Sequence, residues 1–291
     1  MDPNFPHGLN IHPSHGSLIS IDDDLSQYST VAQEHAIASY GIAGRVWEAS
    51  YLLAQYLLAS SDTDFDPPCP LSRRSRRNGF QLSILELGSG SGFVARIFTR
   101  VLRLPLGYAP PDMGFDKFVA TDLANVCELL ADNLAGTGAQ VAALPWGDLA
   151  ALEVVVNDEH FGGDDGLPLT HIVLCDLIYF PELLAPLLRT LIGLTNRFPS
   201  AELIIAYKLR SLTKEEPFWL ALGIWFSLHR VQSRNVSDNE QELFLMLAQR
   251  KEHTLGWAVP PEDHALLQGL GLPSQDGADA FECMLFMSVE T

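Results

Sequence analysis

The chain has 291 residues, 36 acidic against 18 basic side chains, and a formal net charge of −18. That length can bury a full core in one large domain or two small ones, and 47% hydrophobic with 19% charged residues excludes a disordered chain. The acidic excess speaks against general nucleic-acid binding, which needs clustered Lys and Arg; it fits a positively charged partner, or else simple solubility.

No apolar run reaches the roughly 20 residues of a membrane span. The opening MDPNFPHGLN lacks the basic-then-apolar order of a secretory signal. Cys69, Cys127, Cys175 and Cys283 lie far apart, with no C-x-x-C pair and no His at zinc-ligand spacing. A disulfide scaffold and metal chemistry are therefore not expected, and a reducing, cytoplasmic setting is.

In chain order, residues 1–30 are rich in Pro, His, Ser and Asp without a sustained period and read as a flexible or loosely packed arm. Helical spacing begins near Val31 and sharpens into an amphipathic helix over Trp47–Leu58. Residues 60–80 combine Pro-Pro, Ser and the run RRSRR, which marks a surface loop; nuclear import through that run is the minority reading. Strands and helices then alternate. Strands are predicted at 82–87, 117–123, 140–144, 171–176 and 202–208. Helices are predicted at 93–104, 124–134, 181–198 and 213–223, the last capped by Thr213 with Glu216. An acidic, glycine-rich loop spans 157–166.

Strands separated by such helices specify a mostly parallel sheet covered on both faces, reached through right-handed crossovers. Beyond Trp225 the order changes: 226–231 and 243–249 read as an antiparallel hairpin at the sheet edge. The apolar segment 281–289 competes with 243–249 for the place of last strand. The expected organisation is an arm to residue 30, a domain over 31–250, and an extension over 251–291 packed on the sheet or completing it.

The sharpest local signal is ILELGSGSGFVA at 84–95. Glycines at 88, 90 and 92 allow a tight turn and close approach of a ligand to the main chain. Glu86 before the turn, and Phe93 where a dinucleotide fingerprint wants its third glycine, favour S-adenosylmethionine over NAD. Asp122 closes the second strand, placed to accept ribose hydroxyls or to cap the next helix. Trp146 in LPWGD offers an indole face to adenine, with Asp148 as an acceptor for its amino group; a core tryptophan is the alternative. In CDLIYF, Asp176 ends the fourth strand at the carboxyl edge, where open α/β sheets bind ligands, and Tyr179 points back to the same crevice. Such a pair suits an amine awaiting methyl transfer, which must be neutral, in line with its donor and shielded from water. Cys175 reads as a small wall residue, and Phe218, Trp219, Trp225 and Phe226 as core.

Taken in order, GRVWEAS (44–50), ELGSGSG (86–92), ATDL (120–123), LPWGD (144–148), DLIY (176–179) and AYKLR (206–210) resemble family 16 of the seven-strand methyltransferases. These are protein-lysine methyltransferases marked by D-x-x-Y. The resemblance covers about residues 35–232. It implies a Rossmann-like, class I S-adenosylmethionine-dependent methyltransferase sheet of seven strands. It implies cofactor contacts at Trp47, Glu86, Gly88, Ser89, Gly90, Asp122, Trp146 and Cys175, with Asp176 and Tyr179 at the substrate channel.

GRVWEAS and the Y-K-x-R segment are most similar to the fungal branch acting on elongation factor 1A, a basic protein; an Hsp70-type chaperone is the runner-up substrate. A monomer is expected. Departures from the family pattern are the loops 60–80 and 157–166, the tail 251–291, and Ala95 where glycine is frequent. Three other readings are a small-molecule N-methyltransferase with a closed lid, a catalytically inert binding module, and an oxidoreductase.

Overall fold

A computed structural model describes residues 4–6, 8–15, 23–59, 64–71, 81–102, 116–157, 161, 167–233 and 242–277. The RRSRR run and the segment 281–289 lie outside the described residues, as does most of the acidic loop. The described chain begins with a 3-10 turn at Asp23–Tyr28, helix α1 at Thr30–Tyr40 and helix α2 at Glu48–Leu58. Strand β1 (Phe65–Asp66) and strand β2 (Ser83–Leu87) follow, then α3 (Phe93–Val101), β3 (Lys117–Asp122), α4 (Cys127–Asn133) and β4 (Gln140–Ala143). The second half runs α5 (Leu149–Asn157), β5 (His171–Cys175), α6 (Pro181–Arg197), β6 (Glu202–Lys208), α7 (Leu212–Trp225), β7 (Phe226–Ser233), β8 (Leu243–Arg250) and α8 (Asp263–Leu267).

The strands form one sheet in the order β1-β7-β8-β6-β5-β2-β3-β4. All pairings from β4 through β6 are parallel, and β8 joins β6 and β7 antiparallel. Seven of these strands match the expected sheet. The eighth, β1, pairs antiparallel with β7 and lies within the expected loop 60–80.

Alternate residues of the parallel strands feed two cores. Leu85, Ile172, Leu174, Leu203 and Ile205 pack against α5, α6 and α7. Ile84, Val173, Ile204 and Ala206 pack on the opposite face with α2 and α3. Burial on both faces explains why these strands read as continuous apolar runs. Phe218, Trp219, Trp225 and Phe226 are fully buried, as expected of core residues.

The chain leaves β2 toward β3 and β4, then returns to the far side of β2 as β5. The connections leaving the carboxyl ends of β2 and β5 therefore run in opposite directions, opening the crevice where doubly wound sheets bind ligands.

The antiparallel hairpin stands at the sheet edge as expected: β8 pairs with β6, Leu203 opposite Ala248 and Lys208 opposite Leu243, and β7 lies outside it with only the two-residue β1 beyond. Other expectations are corrected. Helix α7 starts at Leu212 on Ser211, not at a Thr213 cap. Its first free amide, Ser211 N, is satisfied by Glu215 at 3.1 Å, not by Glu216. Helix α5 was not anticipated: Asp148 caps it, accepting from Ala150 N at 3.0 Å and Ala151 N at 2.9 Å.

The arm is in part packed. Leu25 and Tyr28 are buried, and Gln33, 2% exposed, clamps Ser14 against Val46. Its amide oxygen accepts Ser14 N and Val46 N, each at 3.1 Å, while its nitrogen donates to Ser14 O at 3.2 Å and Tyr28 O at 2.9 Å. Ser14 Oγ also donates to the Val46 carbonyl.

Candidate functional site

The crevice holds a cavity of about 540 Å³, within the range of small-molecule sites. Its floor is the turn after β2. Gly88 and Gly90 have φ of +56° and +54°, a region that penalises any side chain. A Cβ on Gly88 would stand 2.7 Å from Leu177 and 2.9 Å from Trp146, and one on Gly90 3.0 Å from the Ala43 carbonyl. Ser89 N ties the turn to β3 through Thr121 O at 2.9 Å.

Asp122 completes the turn rather than capping α4. Its two oxygens accept Gly90 N and Leu123 N, each at 2.7 Å. Burial pushes its pKa up, opposed by those two bonds. Beside it Glu86 is 1% exposed, and its Oε2 has no hydrogen-bond partner. Burial raises its pKa to about 8, opposed by the Ser89 side chain and helped by a smaller push from Asp122. A desolvated carboxyl with a free oxygen facing a cavity is a common mark of a functional site.

The walls come from three further elements. Trp146, after β4, meets Tyr179 edge-on at 6.5 Å. Asp148, expected near an adenine amino group, does not line the cavity and serves only α5. Trp47, at the entry of α2, donates its indole N–H to Ile42 O at 3.1 Å. The guanidinium carbons of Arg45 and Arg210 lie 4.3 and 5.2 Å from its ring centroid. Cys175 Sγ sits 3.4 Å from Ser50 Oγ, and burial holds its thiol well above the ordinary range, which suits a wall and not a nucleophile. Asn4 and Leu9 of the N-terminal segment add a roof, anchored where Ile42 N donates to Asn4 O at 2.9 Å.

At the end of β5, Asp176 adopts φ +61°, a strained conformation that Asp tolerates better than most residues. Its side chain is 0% exposed and bound end-on by Arg210, with Nη1–Oδ1 at 2.7 Å and Nη2–Oδ2 at 2.6 Å. Lys208 N adds a third bond at 3.1 Å. Tyr179 lines the same cavity, its hydroxyl pushed above the phenol range by burial and by the charges of Asp122 and Asp176.

The eight residues expected at the cofactor and the Asp176–Tyr179 pair all line one cavity; Asp148 does not. The Arg210 fork on Asp176, the Arg45–Glu48 pair at 2.5 Å and the roof from Asn4 and Leu9 were missed. Arg210 stood inside the AYKLR segment, but nothing in that segment pairs it with a residue of another strand. The residues fit S-adenosylmethionine: a carboxyl with a free oxygen, a left-handed glycine turn braced by Asp122, and flanking indoles meet a ligand with an ammonium group, hydroxyls and a flat base. Trp47, Glu86, the 88–90 turn, Asp122 and Trp146 would hold it.

This sheet order with a glycine-turn cavity at its switch point defines a class I S-adenosylmethionine-dependent methyltransferase. A lysine methyltransferase family model matches residues 27–222, and the chain belongs to that family.

The protein-lysine N-methyltransferase EFM3 of Chaetomium thermophilum is 27% identical over 195 residues, which cover 64% of this chain and 49% of that protein. The chain thus matches about half the length of this curated relative. Among solved structures, the mitomycin 7-O-methyltransferase MmcR aligns with a TM-score of 0.42 at 10% identity, over 78% of this chain and 60% of its own. The TrmK protein of M. capricolum, solved with S-adenosylhomocysteine, aligns with a TM-score of 0.35 at 10% identity, over 71% and 69%.

Proposed function

We propose that the protein methylates a lysine side chain on a folded, basic protein of the cytoplasm, elongation factor 1A being the first candidate. The observation that carries this reading is that Asp176 and Tyr179, from the end of β5, share one cavity with the glycine turn of β2. Bound S-adenosylmethionine supplies an electrophilic methyl group on a sulfonium. The turn and Asp122 orient the ligand; Trp47 and Trp146 exclude water from it. Tyr179 and Trp146 form the aromatic wall against which the lysine stem lies, so the amine reaches the donor desolvated. A lysine near pKa 10.4 must lose its proton first, and desolvation favours that loss.

The charge of −18 favours encounter with a basic protein in a salt-dependent way. The resemblance of GRVWEAS and AYKLR supports elongation factor 1A over the chaperone.

The test is transfer of label from tritiated S-adenosylmethionine to purified elongation factor 1A, with an Hsp70-type chaperone and free lysine in parallel. The reading expects label on a lysine of the elongation factor, a rate that falls steeply with salt, and slower but measurable labelling in Asp176→Asn with S-adenosylhomocysteine affinity kept within a few-fold. Label on free lysine in preference to both proteins would overturn it.

A further inference from the structure

The Arg210 fork poses a chemical problem. Methyl transfer needs the free electron pair of a neutral amine. A bare buried carboxylate beside the substrate would hold it as an ammonium, since an opposite charge within ~4–6 Å favours the charged form. Yet Asp176 stands in the cavity wall with its side chain removed from solvent. Arg210 resolves this. Its guanidinium cannot be deprotonated and matches the carboxylate bidentately, taking both oxygens at 2.6–2.7 Å.

The fork is itself braced. Glu48 lies 3.8 Å from Arg210 Nη2, the Trp47 ring lies beneath, and Glu215 accepts Arg210 N at 3.3 Å. Tyr207 donates to the same Glu215 carboxylate.

We propose that Arg210 is a positioning residue whose fork cancels the charge of Asp176, so that the site admits the substrate lysine as its uncharged amine. This rests on the lysine reading above. Asp176 then acts as a rigid, neutralised strut in the wall rather than as the acceptor that holds an ammonium.

The charged and titratable groups around the pair come from every neighbouring element. Arg45 and Glu48 flank α2; Lys208 ends β6; Lys214 and Glu215 open α7. Across the cavity stand Glu86, Asp122, Cys175 and Tyr179, with Glu182 of α6 behind Tyr179. Glu86 titrates near 8, but it is common to every variant below and drops out of comparisons between them.

Two readouts test the proposal on the full chain, using wild type, Arg210→Gln and the double variant Arg210→Gln/Asp176→Asn. The first needs no substrate: thermal midpoints of the ligand-free proteins from pH 4 to 8. In Arg210→Gln the buried carboxylate loses its partner, so keeping it ionised costs stability and the midpoint of that variant falls as pH increases. Wild type and the double variant lack that component. The second is the pH profile of kcat on elongation factor 1A, which reports groups in the occupied site. The limb that rises with deprotonation of the amine should move up by about one pH unit in Arg210→Gln, a tenfold loss at a fixed pH on that limb. It should return to the wild-type position in the double variant, whatever its absolute rate.

A limb that stays in place in Arg210→Gln, or midpoints of that variant parallel to wild type across the range, would overturn the proposal. Wild-type protein that binds S-adenosylhomocysteine but labels no lysine would sink the functional reading instead, and the midpoints would still decide whether Arg210 cancels the charge.

Discussion

Glu86 offers the sharpest physical test of the site. Its carboxyl is fully enclosed, Oε2 is unpartnered, and its pKa stands at about 8 against an ordinary 4.5. Between those two values the unfolded chain has released a proton that the folded protein keeps. Stability must therefore fall as pH rises, by about 1.4 kcal/mol per unit. The contribution is full below the unfolded value and is gone above the folded one. From pH 6 to 8, where the curve begins to flatten, the loss comes to about 2 kcal/mol. For a chain of this size that is about 3 °C in midpoint.

Glu86→Gln keeps the shape and removes the titration. The assay is differential scanning calorimetry of both proteins without ligand at half-unit steps. The difference in midpoint, variant minus wild type, should grow by about 3 °C between pH 6 and 8. A constant offset from the amide, or from the neighbouring Asp122, leaves that slope intact. Parallel profiles would refute the claim that a desolvated carboxyl waits in the cavity.

Asp122→Ala removes the acceptor of two main-chain bonds and frees the glycine turn. S-adenosylhomocysteine affinity should fall by 1.5–3 kcal/mol, roughly 10- to 150-fold, in a calorimetric titration; unchanged affinity would mean the turn holds its shape alone. Gly90→Ala forces a side chain into the left-handed region against the Ala43 carbonyl, and should lower the thermal midpoint by several degrees while weakening the same ligand. Gln33→Leu deletes the clamp on Ser14 and Val46, leaving buried partners unsatisfied at about 2 kcal/mol. Limited proteolysis should then cut within residues 4–15 well before it cuts the body, and equal cutting rates would show that the roof is held elsewhere.

How much of this was legible in the sequence depends on the range over which each signal acts. The parallel strands are short apolar runs buried on both faces, so Leu82–Leu87 and Glu202–Lys208 announce themselves within a few residues. The glycine turn does too, because its conformation demands the residue type. Helix α5 did not: Leu149 and Val154 are exposed while Val155 and Val156 are buried, so no amphipathic stripe separates it from the loop beyond.

Asp122 was found, but its partners are main-chain amides, which carry no residue identity. Gln33 looks like any surface glutamine until its partners from the arm and the α2 entry arrive. The Arg210 fork joins the ends of two strands, and no periodicity along either reveals it. Local chemistry was readable; pairing across the fold was not.

The placement of β8 has a consequence for synthesis. Every residue lining the cavity precedes Phe226 in the chain, yet β6 keeps one edge unpaired until Leu243–Arg250 has left the ribosome. At ordinary elongation rates that wait lasts on the order of seconds. During it, the apolar run Leu203–Tyr207 offers an open strand edge, a template for pairing with other chains. Strands β7 and β1 attach to the sheet only through β8, so they too must stay undocked for that interval. A nascent chain halted before residue 243 would hold every wall of its pocket and still be sticky. Truncations there should be chaperone clients rather than small enzymes.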